Sequence, residues 1–223
     1  MKSENRDCVI LLHGLARTGH SLNRMEKALQ RNGYRTVNCH YPSRRYPVEH
    51  LAASYIPRAI TACRENHQPG RIHFVTHSMG GILLRYYLSQ ERPPELGRTV
   101  MLAPPNGGSE LVDRLGGFWW FRLLYGKAGT QLGTTADSLP NRLGPADFEV
   151  GIIAGNRVIS PLAALLFPGE NDGKVSIRST RLEGMADFIV LPHSHTFMMS
   201  SREVIDQTLG FLRCGHFNHR EKR

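Results

Sequence analysis

Long apolar runs, paired cysteines and acidic residues are what this 223-residue chain has least of. Near the N-terminus only Val9 to Leu12 are uninterrupted apolar residues, well short of the roughly 7–15 of a secretory signal core. The longest apolar region, 150–167, is broken by Asn156, Arg157 and Pro161, whereas a membrane-spanning helix needs about 20 mostly apolar residues in succession. Neither a leader nor a membrane span is expected. The 4 cysteines, Cys8, Cys39, Cys63 and Cys214, are far apart and form no C-x-x-C pair, which suggests neither a zinc knuckle nor a disulfide framework. Reduced thiols in a cytoplasmic protein are the expectation.

Acids are outnumbered, 19 against 28 Lys and Arg, for a formal charge of +9. The excess falls in the first half, yet Arg6, Arg17, Arg24, Arg31 and Arg35 are dispersed, and only Arg44-Arg45 and the tail HFNHREKR cluster. No zinc-finger, ribonucleoprotein or basic-zipper pattern is present, so no nucleic-acid partner is expected. A solvated basic face explains the charge and leaves room for attraction to an anionic lipid surface or substrate. With 40% hydrophobic residues the chain can build a sizeable core, and its length suits one domain spanning 1–223.

What is present is an alternation of β-rich runs with helical patterns, the mark of a parallel sheet with crossover helices. Strands are expected at 8–14, 34–42, 71–78, 98–105, 148–156 and 186–193. Between them Leu22, Met25 and Leu29 recur at helical spacing and stop at Asn32-Gly33. A second helix follows Leu51, Tyr55, Ile56, Ala59 and Cys63, with Pro57 expected to kink or restart it. A third follows Met79, Ile82, Leu83, Tyr86 and Tyr87, and a last one runs from about Ser201 to Arg213. Residues 106–147 are too long for an ordinary α/β connection and read as an insertion of short helices and loops, of the size of a lid.

The segment FVTHSMGGILLRYYL is a strand, a tight turn centred on Ser78, and a helix. Such a turn raises a serine to the C-terminal edge of a sheet and gives the next residue's N–H to a helix N-terminus. Thr76 stands where G-x-S-x-G has its first glycine. A nucleophilic serine needs a base, an orienting carboxylate and oxyanion donors. LLHGLARTGH puts Leu15 in the loop after the first strand, PGENDGKVS puts Asp172 in a turn after the fifth, and LPHSHTFMM puts His195 after the sixth. The order Ser78, Asp172, His195 is that of an α/β-hydrolase triad.

Through HGLARTGHSL, YPS, FVTHSMGGILLRYYL, LAPPNGGSE, IAGN, NDGKVS and SHTFM the chain resembles small α/β-hydrolases of the bacterial lipase and esterase group. The resemblance runs from about Cys8 to Phe217. It implies a six-stranded, mainly parallel sheet flanked by helices on both faces, a minimal form lacking two leading antiparallel strands. It implies Ser78 as nucleophile, His195 as base, Asp172 as its partner, and the backbone N–H groups of Leu15 and Met79 as oxyanion hole. It further implies cleavage of a small-molecule or lipid carboxylic ester through an acyl-enzyme, without metal or cofactor. Acyl transfer, thioester cleavage and a non-catalytic binding role on the same fold are the alternatives.

Several neighbours have plainer readings. His77 should pack at the strand end, with its side chain directed away from that of Ser78. Strand alternation puts His193 and His195 on one side and does not choose between them; the family pattern favours His195. His13 should hold its loop through a backbone hydrogen bond. Glu170, Asn171 and Asp172 suggest calcium, but Lys174 supplies a cation where further oxygens are needed. Arg17 is either a substrate contact or a surface residue. Phe118, Trp119, Trp120 and Phe121 cannot all face one core, and Trp119 and Trp120 are expected to wall an acyl pocket, with Arg122 and the basic face nearby.

Overall fold

The structure, a computed structural model, describes residues 7–65, 69–159 and 169–219. Residues 160–167 of the apolar region, the basic residues beyond 219 and the Arg122 side chain lie outside the described residues.

Six strands form where the β-rich runs lie: β1 (Cys8–Leu12), β2 (Arg35–Cys39), β3 (Ile72–His77), β4 (Leu96–Leu102), β5 (Val150–Gly155) and β6 (Asp187–Leu191). They make one sheet in the order β2-β1-β3-β4-β5-β6, with every neighbouring pair parallel. Helices connect them: α1 (Asn23–Arg31), α2 (Val48–Arg64), α3 (Met79–Gln90) and, at the end, α8 (Arg202–Cys214). The insertion supplies α4 (Glu110–Leu115), α5 (Trp119–Thr130), which is kinked at Gly126 where the backbone leaves helical geometry (φ 67°, ψ −166°), and α6 (Leu139–Arg142), and a short α7 (Ile177–Thr180) precedes β6.

Both faces of the sheet are covered, as strand alternation dictates. Val9 and Leu11 of β1 face one core with Met25 and Leu29 of α1 and Val204 and Phe211 of α8. Ile10 and Leu12, one residue out of phase, face the other with Leu51 and Ile56 of α2 and Ile82 and Leu83 of α3. This is why β1 reads CVILL without a polar residue, since a parallel strand covered on both sides has no solvent face. The chain places β2 on one side of β1 and β3 on the other, so the loops leaving β1 and β3 diverge. Ligand crevices of open α/β sheets form at such a switch point, beyond the carboxyl ends of the strands.

Two expectations are corrected here. Pro57 lies inside α2, which runs on to Arg64 without a restart. Cys8 and Cys63 are not reduced thiols but a disulfide, with 5.9 Å between their Cα atoms. A parallel crossover returns its helix to the edge where the strands begin, so the last turn of α2 meets the first residue of β1. That meeting is a property of topology and leaves no trace in cysteine spacing. Cys39 is buried and Cys214 exposed, and both are free; burial pushes the Cys39 thiol up to about 11. No helix among the described residues is long and apolar enough to cross a membrane.

Candidate active site

Ser78 is the single residue between β3 and α3, and its backbone sits at φ 53°, ψ −125°. L-residues avoid that region, and such strain persists only where surrounding contacts enforce it. Here the Ser78 N–H donates to the Leu102 carbonyl at 2.8 Å, and the Gly81 N–H donates to the Ser78 carbonyl at 2.9 Å. A Cβ on Gly80 would lie 2.5 Å from the Leu12 carbonyl oxygen, so glycine is what lets α3 begin against the end of β1. At Gly14 a Cβ would come within 3.1 Å of Ser78 Cβ, which shows how closely the loop after β1 approaches the turn. Thr76 is fully buried, and its bulk is accommodated opposite Gly81, where a Cβ would meet Thr76 Oγ1 at 3.3 Å.

The structure brings Ser78, His195 and Asp172 into one chain of hydrogen bonds. Ser78 Oγ is 3.0 Å from His195 Nε2, and His195 Nδ1 is 2.7 Å from Asp172 Oδ2. A carboxylate only accepts, so Nδ1 carries the proton and Nε2 is left to accept from the serine hydroxyl. Asp172 is itself held: its Oδ1 accepts the N–H groups of Lys174 and Val175 at 3.0 and 2.9 Å, and its carbonyl accepts the His195 N–H at 3.0 Å. Asp172 and His195 are both buried.

The other histidines separate cleanly. His193 lies beyond the end of β6, where alternation no longer applies, and its Nε2 contacts Glu203 Oε2 at 3.0 Å and Ser201 Oγ at 2.9 Å. His77 is buried, and its Nε2 donates to the His195 carbonyl at 3.0 Å. Burial, reinforced by His195 and Arg17, holds His77 well below the usual histidine range, so it stays neutral. His13 Nε2 accepts the Tyr41 N–H at 3.3 Å, which leaves Nδ1 to donate to the Gly14 carbonyl at 2.9 Å. The Tyr41 ring stacks on it at 4.0 Å and its hydroxyl donates to the His13 carbonyl. Tyr41 is thus a support of the loop after β1 that sequence reasoning missed; YPS marked the segment but not the contact.

Leu15 follows this loop and Met79 is the first residue of α3. Among the described hydrogen bonds neither N–H donates to a protein acceptor. A cavity of about 50 Å³ opens at Ser78, lined among others by Leu15, Val112, Phe121, Tyr125, Arg17 and Lys174. The expectation for the aromatic run needs correcting. Phe121 is 1% exposed and faces this cavity, Trp119 is 75% exposed, and Trp120 lines a neighbouring groove with Arg44, Arg45 and Leu124. Phe121 and Tyr125 lie four apart on the first part of α5, before its kink at Gly126, and both line the cavity.

Two cations share the cavity wall. Arg17 Nη2 donates to the Thr196 carbonyl at 3.3 Å, and burial lowers its pKa from the ordinary value. Lys174 is lowered by burial and by the charge of Arg17, with Asp172 acting the other way. Among the described residues no group of three or more His, Cys, Asp and Glu is arranged to hold a metal ion.

Comparison with known proteins agrees with this architecture. The alpha/beta hydrolase fold family matches residues 7–145, well over half of the chain. No curated protein matches it. Among solved structures, a Bacillus licheniformis lipase in mature form is similar at TM-score 0.70 and 20% identity, over 95% of this chain and 94% of that one. A phospholipase from Legionella pneumophila is similar at TM-score 0.71 and 19% identity, over 94% of this chain but only 59% of the phospholipase. A metagenomic carboxyl esterase follows at TM-score 0.63 and 18% identity, over 86% and 65%. At these identities the likeness is one of fold.

Proposed function

The chain belongs to the alpha/beta hydrolase fold family, and from that premise we propose that it is a serine hydrolase of carboxylic esters. One observation carries the reading: a strained serine at 3.0 Å from a histidine that is itself 2.7 Å from a buried carboxylate. Ser78 Oγ attacks the ester carbonyl carbon while His195 Nε2 takes its proton, and the Leu15 and Met79 N–H groups receive the oxyanion. Collapse of the tetrahedral adduct breaks the carbon–oxygen bond, and the same proton passes from His195 to the departing alcohol. Water then adds to the acyl-Ser78, giving its proton to His195, and the acid leaves as the proton returns to Ser78. Asp172 fixes the tautomer and balances the imidazolium formed in each half.

The narrow cavity and its apolar wall of Leu15, Val112 and Phe121 support a small or slender acyl group, and residues 106–147 act as the lid over it. We read residues 1–223 as one hydrolase domain. Phe118, Trp119, Leu123 and Leu124 are exposed, and Leu123 and Leu124 line a groove with Arg44 and Arg45, which supports peripheral contact with an anionic membrane. The Cys8–Cys63 bridge favours a compartment where disulfides persist over the cytoplasm expected from the sequence. The test is labelling with a fluorophosphonate probe and turnover of nitrophenyl esters. Labelling at Ser78 in the wild type and its loss in Ser78→Ala is the expected result. Absence of both labelling and turnover overturns the reading.

A further inference from the structure

Arg17 and Lys174 are brought to the same small cavity from opposite ends of the sequence. Like charges that share a half-buried wall repel one another, and among the described residues the only relief is the charge of Asp172 acting on Lys174 without a direct ion pair. Among the described ion pairs neither takes part. The nearest acid, Asp172, has both oxygens engaged, Oδ2 with His195 and Oδ1 with two backbone N–H groups. The carbonyl of Thr196 receives one guanidinium nitrogen at 3.3 Å and leaves the other donors of Arg17 for a ligand. Two cations in one cleft of low dielectric form a focused positive field, the setting in which an oxyanion is bound.

Their position says which half of an ester they meet. Arg17 is anchored on the carbonyl of Thr196, the residue after His195, and Lys174 lines the same cavity within reach of the charges of Arg17 and Asp172, so both stand on the base side of the site. The departing alcohol must also lie there, because His195 hands it the proton. The geometry points to an ester whose alcohol portion carries an oxyanion, phosphate or carboxylate, a few atoms from the scissile oxygen, bound by Arg17 and Lys174. This deepens the serine-hydrolase reading and rests on it. The proton passed to the alcohol is unaffected by the anion, which stays charged throughout and leaves with the alcohol.

The test uses three acetyl esters with one leaving scaffold: 4-acetoxybenzoate, its neutral methyl ester, and 4-acetoxyphenyl phosphate. Each kcat/KM is divided by the rate of the same ester with hydroxide, which removes intrinsic leaving ability. Wild type is expected to favour at least one anionic ester over the neutral one by about ten-fold, the scale of a charge-assisted hydrogen bond. Whichever anion leads, phosphate or carboxylate, identifies the source. The preference should shrink in 0.5 M salt (about a 4 Å screening length). It should fall several-fold in Arg17→Gln or Lys174→Met, and approach one in the double variant, while Arg17→Lys keeps part of it. A normalised ratio of one or less in the wild type overturns the proposal, and needs no variant to fold. If Ser78 is labelled by fluorophosphonate and the neutral ester is hydrolysed without anionic preference, only the anion site fails. If Ser78 is unlabelled and no ester is hydrolysed, the hydrolase reading fails and takes the anion site with it.

Discussion

The two edges of the sheet carry cavities of opposite character. Where the strands begin, a cleft of about 800 Å³ is lined by Asp7, Arg71, His73, Arg98, Glu149 and Arg213 among others. Where they end, the cavity at Ser78 measures about 50 Å³. In the larger cleft the charges have partners. Arg98 Nε pairs with Glu149 Oε1 at 2.7 Å, and its Nη1 donates to the carbonyls of Leu212 and Arg213, closing the end of α8. His73 Nδ1 accepts the Arg98 N–H at 2.8 Å. At the smaller cavity the backbone is strained, a hydroxyl, an imidazole and a carboxylate are in series, and two cations lack acidic partners. The difference teaches that volume does not locate chemistry in this fold: the large cleft is a seam of satisfied contacts, and the small one holds the groups that folding alone does not need.

The most forceful way to break that contrast is to mutate one edge and look for the other's phenotype. Ser78→Ala should lower turnover by at least about three orders of magnitude while the thermal midpoint stays close to wild type. His195→Ala should do likewise and His193→Ala far less, whereas Glu149→Ala at the opposite edge should leave kcat/KM within about two-fold. Ester kinetics beside thermal melts check both arms. Comparable losses for His193→Ala and His195→Ala would show that the wrong histidine has been assigned.

Reducing the Cys8–Cys63 bridge removes a cross-link over 55 residues, worth about 4 kcal/mol on a loop-entropy account. Denaturant melts with and without reductant should show a loss of roughly 2–4 kcal/mol, and the fraction that remains folded should keep its turnover, since the bridge belongs to the edge away from Ser78.

Acid should act on both edges, since burial also lowers His73 in the larger cleft, and the edge that holds the site has two such rings. Burial lowers His13 from 6.5 to about 4, so below the unfolded value the unfolded chain takes up a proton that the folded chain refuses. The folded pKa being the lower one, stability is complete above about 6.5 and falls as the pH drops toward 4. At pH 5 this histidine alone costs about 2 kcal/mol, and His77, lowered for the same reason, adds in the same direction. Melts from pH 7.5 to 4.5 measure it; a flat profile would contradict the neutral, buried state of these two rings.

Smaller effects sharpen the contrast further. Arg98→Ala should cost about 1–2 kcal/mol through its lost bonds to the α8 carbonyls and Glu149, with no change in kcat/KM. Phe121→Ala should shift the ratio of octanoyl to acetyl ester turnover, and Trp119→Ala should leave that ratio within about two-fold, read from a chain-length series.

Much of this was legible in the sequence where local pattern and final structure coincide. Five of the six strands fall inside the β-rich runs, and β4 begins two residues ahead of its run at Leu96; the central β1 is the clearest, since a parallel strand covered on both faces must be apolar throughout. The Ser78 turn declared itself through Met79-Gly80-Gly81, since bulk at Gly80 would collide with the Leu12 carbonyl. What stayed hidden depends on elements distant in sequence. Strand alternation leaves His193 and His195 undecided and only the family resemblance favours His195, while the meeting of Arg17 with Lys174 needed the loops of β1 and β5 to come together. The disulfide needed the return of α2 to the start of β1. The emphasis on Trp119 and Trp120 came from taking aromatic bulk as the signal, when the i, i+4 pair Phe121 and Tyr125 lines the cavity.

The cysteine and tryptophan inventory makes the molecule convenient for fluorescence. With Cys8 and Cys63 joined and Cys39 buried, Cys214 at the end of α8 is the thiol that a maleimide dye can reach. Both of the chain's 2 tryptophans sit side by side on α5. Dye and donor are therefore held at opposite edges of the sheet, separated by about 20 Å of strand for six residues. Indole emission and its transfer to the dye report on the insertion alone, so any movement of that segment over Ser78 can be timed in the unmutated chain.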